Sequence, residues 1–143
     1  MEKTMNVYLA NLVYFYHKLQ SYHWCVQGTM FFQAHAKLEE YYDVINTQID
    51  ELAELILMDG KKPISTMKDF MELSTIKDGT GDFISDMVIV FSEVLADFDV
   101  MLESAKKIKL KADEADNSLV SAKMDSFIET YAKIIWMLKS VLV

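Results

Sequence analysis

Apolar residues recur every three or four positions along most of this 143-residue chain, and few glycines or prolines interrupt them. This spacing is typical of amphipathic helices, because side chains three and four positions apart share one helix face. The four glycines and the single proline cluster near positions 28, 60–63 and 79–81. The pattern therefore predicts long helices that end at these places and at the polar segment KADEADNS, residues 111–118.

The predicted long helices cover about residues 4–26, 31–58, 82–107 and 117–142. Between the second and the third lies ISTMKDFMELSTIKD, which is too apolar for a plain linker and too short for a bundle helix. Ser65 or Thr66 could cap one short helix there, ending at Leu73. Two helices, a long crossover and two more helices predict an all-α, ferritin-like four-helix bundle with a short helix in the crossover. At this length we expect a single domain over residues 1–143.

Composition adds an expectation about partners. Hydrophobic residues make up 52% of the chain, yet no uninterrupted apolar run reaches the roughly 18 residues that a membrane span needs, so we expect subunit contacts and no membrane. The start, MEKTMNVYLANLVYFYHK, does not resemble a signal peptide, and the single Cys25 fits a reducing compartment, which together predict a cytoplasmic protein. The net charge of −8 opposes nucleic-acid binding and favours cations as small partners.

Two of the three histidines lie close together in YHWCVQGTMFFQAHAKLEE, residues 22–40. Taken singly, His23 and His35 are more often hydrogen-bonded core residues than ligands. The second predicted helix also carries Glu39, Asp50 and Glu54, which lie about 40°, 60° and 100° around the helix from His35 at 3.6 residues per turn. Carboxylates near an apolar stripe are costly unless they are paired or bind a cation, which favours a metal site.

The distance along the helix limits how such a site is built. His35 and Asp50 are separated by about 22 Å, so they cannot hold one ion within a single chain. Either there is no site, or antiparallel pairing of two chains across a twofold axis places His35 opposite Asp50 and Glu54 of the other chain. Such a nitrogen and oxygen ligand set suits Fe(II), Zn(II) or Mn(II) better than Mg(II) or Ca(II).

The segment YHWCVQGTMFFQAHAKLEEYYDVINTQIDELAELIL closely resembles the signature of the Dps-type miniferritins, the DNA-protection-during-starvation family. That signature has a His-Trp pair, a second His twelve residues on and a D-E-x-x-E segment fifteen residues further. His23, His35, Asp50 and Glu54 fall at these spacings without a gap. IIWMLKS, residues 134–140, is similar to the family's closing segment, so the resemblance spans nearly the whole chain.

The resemblance implies a hollow dodecamer of twofold dimers that acts as a ferroxidase. Such a shell oxidises Fe(II), usually with hydrogen peroxide, stores the ferric product and so protects the cell from oxidative damage. Implied ligands are His23 and His35 of one subunit with Asp50 and Glu54 of its twofold mate, while Glu39 assists a second, weaker iron. Zinc or manganese could substitute for iron.

Several neighbouring features have two interpretations. Trp24 resembles the family's tryptophan near the site, where it either quenches a radical or packs in an interface. His17 lies outside the four-ligand pattern, so packing or surface exposure is expected for it. Asp113, Glu114 and Asp116, with Asp125 beyond them, lie where the family lines a pore for iron with carboxylates.

Nucleic-acid binding is the alternative function. Family members often bind DNA through mobile tails rich in Lys and Arg, whereas only MEKTM precedes the first predicted helix, so direct DNA binding is not expected. The one basic cluster, KKIKLK at 106–111, is expected to be a solvated helix end. The alternative hypothesis is a shell that binds DNA or a surface partner and keeps a metal for structure only.

Overall fold

The computed structural model describes all 143 residues and contains five helices. Their bounds are α1 Glu2–Cys25, α2 Phe31–Met58, α3 Met67–Leu73, α4 Met87–Glu114 and α5 Ser118–Val141. Helix α1 packs mainly on α2, α4 packs mainly on α5, and the short α3 in the crossover lies against α1. The structure confirms the predicted all-α, ferritin-like bundle with a short helix between its second and third long helices.

The start of α4 differs from the prediction, which placed it at residue 82. The helix begins at Met87, because the Asp86 side chain accepts hydrogen bonds from the N–H groups two and three residues later. Just before it, Ile84 accepts a backbone hydrogen bond from Gln27 in the connection after α1 and donates one to Cys25, the last residue of α1. Phe83, which the predicted range 82–107 included, therefore lies outside the helix, and its side chain is 72% exposed.

The end of α4 also differs, because the helix continues to Glu114 rather than stopping near residue 107. The apparently polar segment contains Ala112, which is completely buried and extends the apolar face by another turn. The chain then reverses at Asp116, which has the left-handed φ of +53°. Asn117 caps α5 by accepting a hydrogen bond from a helix N–H group.

The core lies between the four long helices and is mostly apolar. Two buried tyrosines in it are hydrogen-bonded: the hydroxyls of Tyr8 and Tyr131 contact each other, and Tyr131 donates to the Gln48 side chain at 2.5 Å. None of the five helices has the length and apolar character that a bilayer crossing requires.

Candidate metal centre

The two histidines meet where α1 ends and α2 begins. Gly28 lies in the connection with φ of +105°, a conformation that glycine adopts without a side-chain clash. The chain therefore reverses tightly and brings His35 of α2 back beside His23 of α1. The two imidazole rings stack with their centroids 3.6 Å apart and their planes 13° from parallel.

Each imidazole is held by the backbone of the other residue. The His23 Nδ1 atom is 2.7 Å from the His35 carbonyl oxygen, and the His35 Nδ1 atom is 2.7 Å from the His23 carbonyl oxygen. Because a carbonyl only accepts hydrogen bonds, both Nδ1 atoms donate, so the single N–H of a neutral imidazole at either position lies on Nδ1. Both Nε2 atoms then carry a free lone pair, as a metal-binding histidine requires.

Aromatic side chains form the walls around this pair. Phe31 stacks on the His35 ring at 4.9 Å, and Tyr42 presents its ring to His23 at 5.2 Å and 84°. His23 is buried, and the Glu39 Oε1 atom lies 3.7 Å from its Nε2 atom. A carboxylate oxygen thus stands next to a free imidazole nitrogen, an arrangement of donor atoms suited to a divalent transition metal.

The other two predicted ligands lie further along α2. Asp50 and Glu54 are one helical turn apart, and both are exposed in this chain rather than facing its core, which corrects the sequence-based view of their stripe. The hydrogen bond with Asp50, followed by the negative charge of Asp50, raises the pKa of Glu54. No lysine or histidine of the chain forms an ion pair with either carboxylate.

Within one chain the predicted ligands form two separate groups. His23, His35 and Glu39 lie at one end of α2, and Asp50 with Glu54 lies nearer the other end. No three His, Cys, Asp or Glu side chains of the chain come close enough together to hold a metal ion. The donor chemistry fits a metal, but one protomer does not supply a complete ligand set.

Trp24 takes a different place from the histidine beside it in sequence. Its side chain is 58% exposed, and its aromatic contact is with His17, at 6.0 Å, rather than with either stacked histidine. His17 is itself exposed. The ring that does contact His23 is Tyr42, which the sequence did not single out as a site residue. Its position three residues after Glu39 was the available signal, since residues three apart are neighbours on a helix.

A second carboxylate pair lies between α1 and α4. Glu93 and Asp97 are also four residues apart, and the buried Lys18 places its Nζ atom 2.8 Å from Asp97 and 3.5 Å from Glu93. Tyr22 donates a hydrogen bond to Glu93 at 2.6 Å, which lowers the pKa of that carboxyl group. Burial raises the pKa of Asp97. This pair has its cation within the chain.

The acidic segment at the α4–α5 corner also contains a lysine. Lys109 lies 3.0 Å from Asp125 and 3.5 Å from Asp113, and it donates a hydrogen bond to Ser121 at 3.0 Å. The prediction that the basic cluster is a solvated helix end therefore does not hold for Lys109, which bridges two helices instead.

Known proteins match this chain along nearly its whole length. The ferritin family, described as a ferritin-like domain, matches residues 2–143. A DNA protection during starvation protein of Brevibacillus brevis is 37% identical over 139 residues, covering 96% of this chain and 91% of that protein. General stress protein 20U of Bacillus subtilis is 35% identical over 140 residues, covering 98% of this chain and 95% of the relative.

A solved structure is also similar to this chain in its fold. The crystal structure of a Dps protein from Vibrio cholerae O1, described as a member of a broad superfamily of ferritin-like diiron-carboxylate proteins, is similar with a TM-score of 0.93. The two sequences are 34% identical, and the match covers 98% of this chain and 87% of that chain.

Proposed function

The chain belongs to the Dps-type miniferritins, and from this membership we propose that it is a ferroxidase that oxidises Fe(II) with hydrogen peroxide and stores the ferric product. Membership in this ferritin-like diiron-carboxylate family supports iron binding, iron storage and a protective role. The observation that carries the proposal for this chain is the reciprocal hydrogen bonding of His23 and His35, which leaves both Nε2 atoms free, with that of His23 3.7 Å from the Glu39 Oε1 atom.

We place the iron site between two chains related by a twofold axis. His23 and His35 of one chain supply nitrogen, Asp50 and Glu54 of its mate supply oxygen, and Glu39 assists a second iron. Two properties of the chain support this arrangement. The nitrogen and oxygen groups are about 22 Å apart along α2, and the carboxylate pair has no counterion of its own. An antiparallel mate would place its carboxylate pair beside the histidines of this chain, and this chain would do the same for its mate. Each dimer would then contain two such sites.

The proposed reaction takes Fe(II) and peroxide as substrates. Two Fe(II) ions each give one electron, the O–O bond of one hydrogen peroxide breaks, and two protons from solvent complete two water molecules. Because both electrons come from iron in the same site, no hydroxyl radical is released. Carboxylate oxygens are hard ligands that favour Fe(III) over Fe(II), and the imidazoles of the buried His23 and the half-buried His35 would supply the nitrogen ligands. Zn(II), which has no redox chemistry, is expected to occupy the site without reacting.

The surface of the protomer supports assembly into the proposed dodecamer. Phe32, Trp136 and Val141 are 82%, 65% and 69% exposed, although each is large and apolar. Trp136 and Val141 border a groove of about 650 Å³ lined mostly by apolar side chains. Contiguous apolar surface of this kind marks protein contacts, because leaving it in water is unfavourable. We therefore propose that other subunits of the shell cover it.

The test is an anaerobic titration of metal-free protein with Fe(II), followed by a stoichiometric pulse of hydrogen peroxide. Absorbance reports ferric iron, and sedimentation reports particle size. We expect rapid oxidation, with the iron retained in a large particle. His35→Ala should lose most of the rate, whereas His17→Ala, which changes an exposed histidine outside the site, should keep it. Equal rates in the wild-type protein and His35→Ala would overturn the proposed site.

The DNA-binding alternative is tested by gel retardation at low salt. The net charge of −8 predicts no retardation, because binding to the phosphate backbone needs clustered basic residues and Lys109 of the one such cluster is paired with acids. Retardation by protein that takes up no iron would favour the alternative.

A further inference from the structure

Tyr42 contacts two members of the proposed iron site at once. Its ring meets the His23 imidazole edge to face at 5.2 Å, and its hydroxyl lies within 3.5 Å of Glu39 Oε1. The same carboxylate oxygen is 3.7 Å from His23 Nε2. One oxygen atom therefore stands between the tyrosine hydroxyl and the nitrogen that is free to bind iron.

The surroundings of Tyr42 differ from those of the tryptophan next to the site. Tyr42 is half-buried, and on its other side it packs edge to face against Tyr16 at 5.7 Å. Tyr16 in turn accepts a hydrogen bond from Gln20 at 3.2 Å. Trp24 is 58% exposed and makes no ring contact with His23 or His35. Among the oxidisable rings, Tyr42 has the direct contact with a proposed ligand.

The number of electrons that hydrogen peroxide requires suggests a role for the contact of Tyr42 with His23 and Glu39. Hydrogen peroxide needs two electrons to become water, and a site that holds a single Fe(II) supplies only one. We propose that Tyr42 supplies the missing electron when one iron is bound, and that it stores the oxidising equivalent until a second Fe(II) arrives. This inference rests on the function proposed above.

Both steps balance in atoms and electrons. In the first, Fe(II) loses one electron and Tyr42 loses one electron with its phenolic proton, giving Fe(III) and a neutral tyrosyl radical. The O–O bond of hydrogen peroxide breaks, and the phenolic proton with one proton from solvent completes two water molecules. In the second, an arriving Fe(II) gives one electron to the radical, which takes one proton from solvent and returns to tyrosine. The sum is two irons oxidised per peroxide, without free hydroxyl radical.

The test uses the assembled protein, made metal-free and loaded anaerobically with one Fe(II) per subunit. One equivalent of hydrogen peroxide is added, the sample is frozen within the mixing time, and electron paramagnetic resonance records organic radicals. Ring-deuterated tyrosine identifies a tyrosyl signal by its narrowing. We expect this signal in the wild-type protein, its loss in Tyr42→Phe, and its retention in Tyr14→Phe, the control at another half-buried tyrosine. Tyr42→Phe keeps the ring that packs on His23, and sedimentation checks its assembly.

A second measurement needs no substitution. Adding one further Fe(II) per subunit to the wild-type radical should remove the signal and form one additional Fe(III) for each radical lost. A radical that is indifferent to added Fe(II), that is unchanged by Tyr42→Phe or that narrows only with deuterated tryptophan would overturn the role of Tyr42. Ferric iron formed without any tyrosyl signal would do the same and leave the proposed function intact. Absence of ferric iron would overturn both.

Discussion

The chain contains two carboxylate pairs with the same spacing but different surroundings. Asp50 and Glu54 on α2 are four residues apart, as are Glu93 and Asp97 on α4. The α4 pair closes around the buried Lys18, which lies within 3.5 Å of both acids. The α2 pair is exposed and has no cation of the chain beside it. The same spacing of two acids thus becomes an ion cluster with a lysine of the chain in one place and a pair without such a cation in the other.

The physical difference lies in the source of the positive charge. Two carboxylates one helical turn apart repel each other, so a cation or a bound proton stabilises each pair. Lys18 comes from α1 because that helix packs against α4, a tertiary contact that no spacing rule contains. Asp50 and Glu54 face away from the rest of their own chain. They are therefore the pair that can accept charge from outside, either as a metal ion or as a proton.

The largest expected effect comes from removing the internal cation. Lys18→Met leaves Asp97 buried without its partner, and loss of one member of a buried pair costs about 3–5 kcal/mol of stability. We expect this decrease in the free energy of unfolding by urea denaturation at a fixed protomer concentration. Lys18→Met combined with Asp97→Leu should recover most of it, because no charge then remains buried. An unchanged urea midpoint of unfolding in Lys18→Met would show that Lys18 does not stabilise the buried carboxylate of the α4 pair.

The next effect concerns iron oxidation and separates the two pairs by function. Asp50→Ala removes a proposed oxygen ligand, so the rate of Fe(II) oxidation by peroxide should fall by at least about 10-fold, the loss typical even for groups that only support a metal ligand. Glu93→Ala, which deletes a carboxylate of the satisfied pair, should leave the rate near that of the wild-type protein. An equal loss of iron oxidation in the two variants would contradict the proposed difference in function between the two carboxylate pairs.

The smallest effect is on the stability of metal-free protein. The pKa of Glu54 is raised by Asp50, so the folded state holds this proton more tightly than the unfolded state. The stability from this proton is full below the usual carboxyl range and is lost as the pH rises through the raised value. At neutral pH, Glu54→Gln should therefore slightly raise the melting temperature of the metal-free protein. Zn(II) should stabilise the wild-type protein more than the variant, as differential scanning calorimetry would show.

Much of the fold could be predicted from the sequence, because it depends on local periodicity. The spacing of apolar residues predicted the long helices, and the apolar crossover segment with its capping residue predicted the short helix that ends at Leu73. The errors occurred where a tertiary or capping interaction decides the boundary. The cap formed by Asp86 sets the start of α4, which the sequence placed at residue 82. Burial of Ala112 extends the helix into a segment that looks polar in the sequence.

The candidate site could be predicted only in part. The spacing of His23, His35, Asp50 and Glu54 identified the candidate ligands, and their distance along the helix predicted that one chain is insufficient. The reciprocal hydrogen bonds that fix both imidazoles could not be predicted, since they depend on how the Gly28 turn joins two helices.

Contacts between helices were also missed. The place of Tyr42 against His23, and of Lys18 between Glu93 and Asp97, results from packing between side chains distant in sequence. Sequence periodicity indicates which face of a helix is buried, but not which polar group of another helix it meets.

The central claim, that two chains build one iron site, is tested most directly by mixing two inactive variants. His35→Ala lacks a nitrogen ligand and Asp50→Ala lacks an oxygen ligand, so in a mixed dimer one site carries both defects and the other carries neither. Random co-assembly should restore about a quarter of wild-type peroxide-dependent iron oxidation, because half of the dimers are mixed and half of their sites are intact.

The matched control is a mixture of Asp50→Ala with Glu54→Ala. Both changes lie in the oxygen group, so every site of a mixed dimer carries one defect and activity should stay at the level of the single variants. The account predicts recovery in the first mixture and none in the control. Activity in the His35→Ala and Asp50→Ala mixture that is no higher than in either variant alone would contradict a site shared between chains.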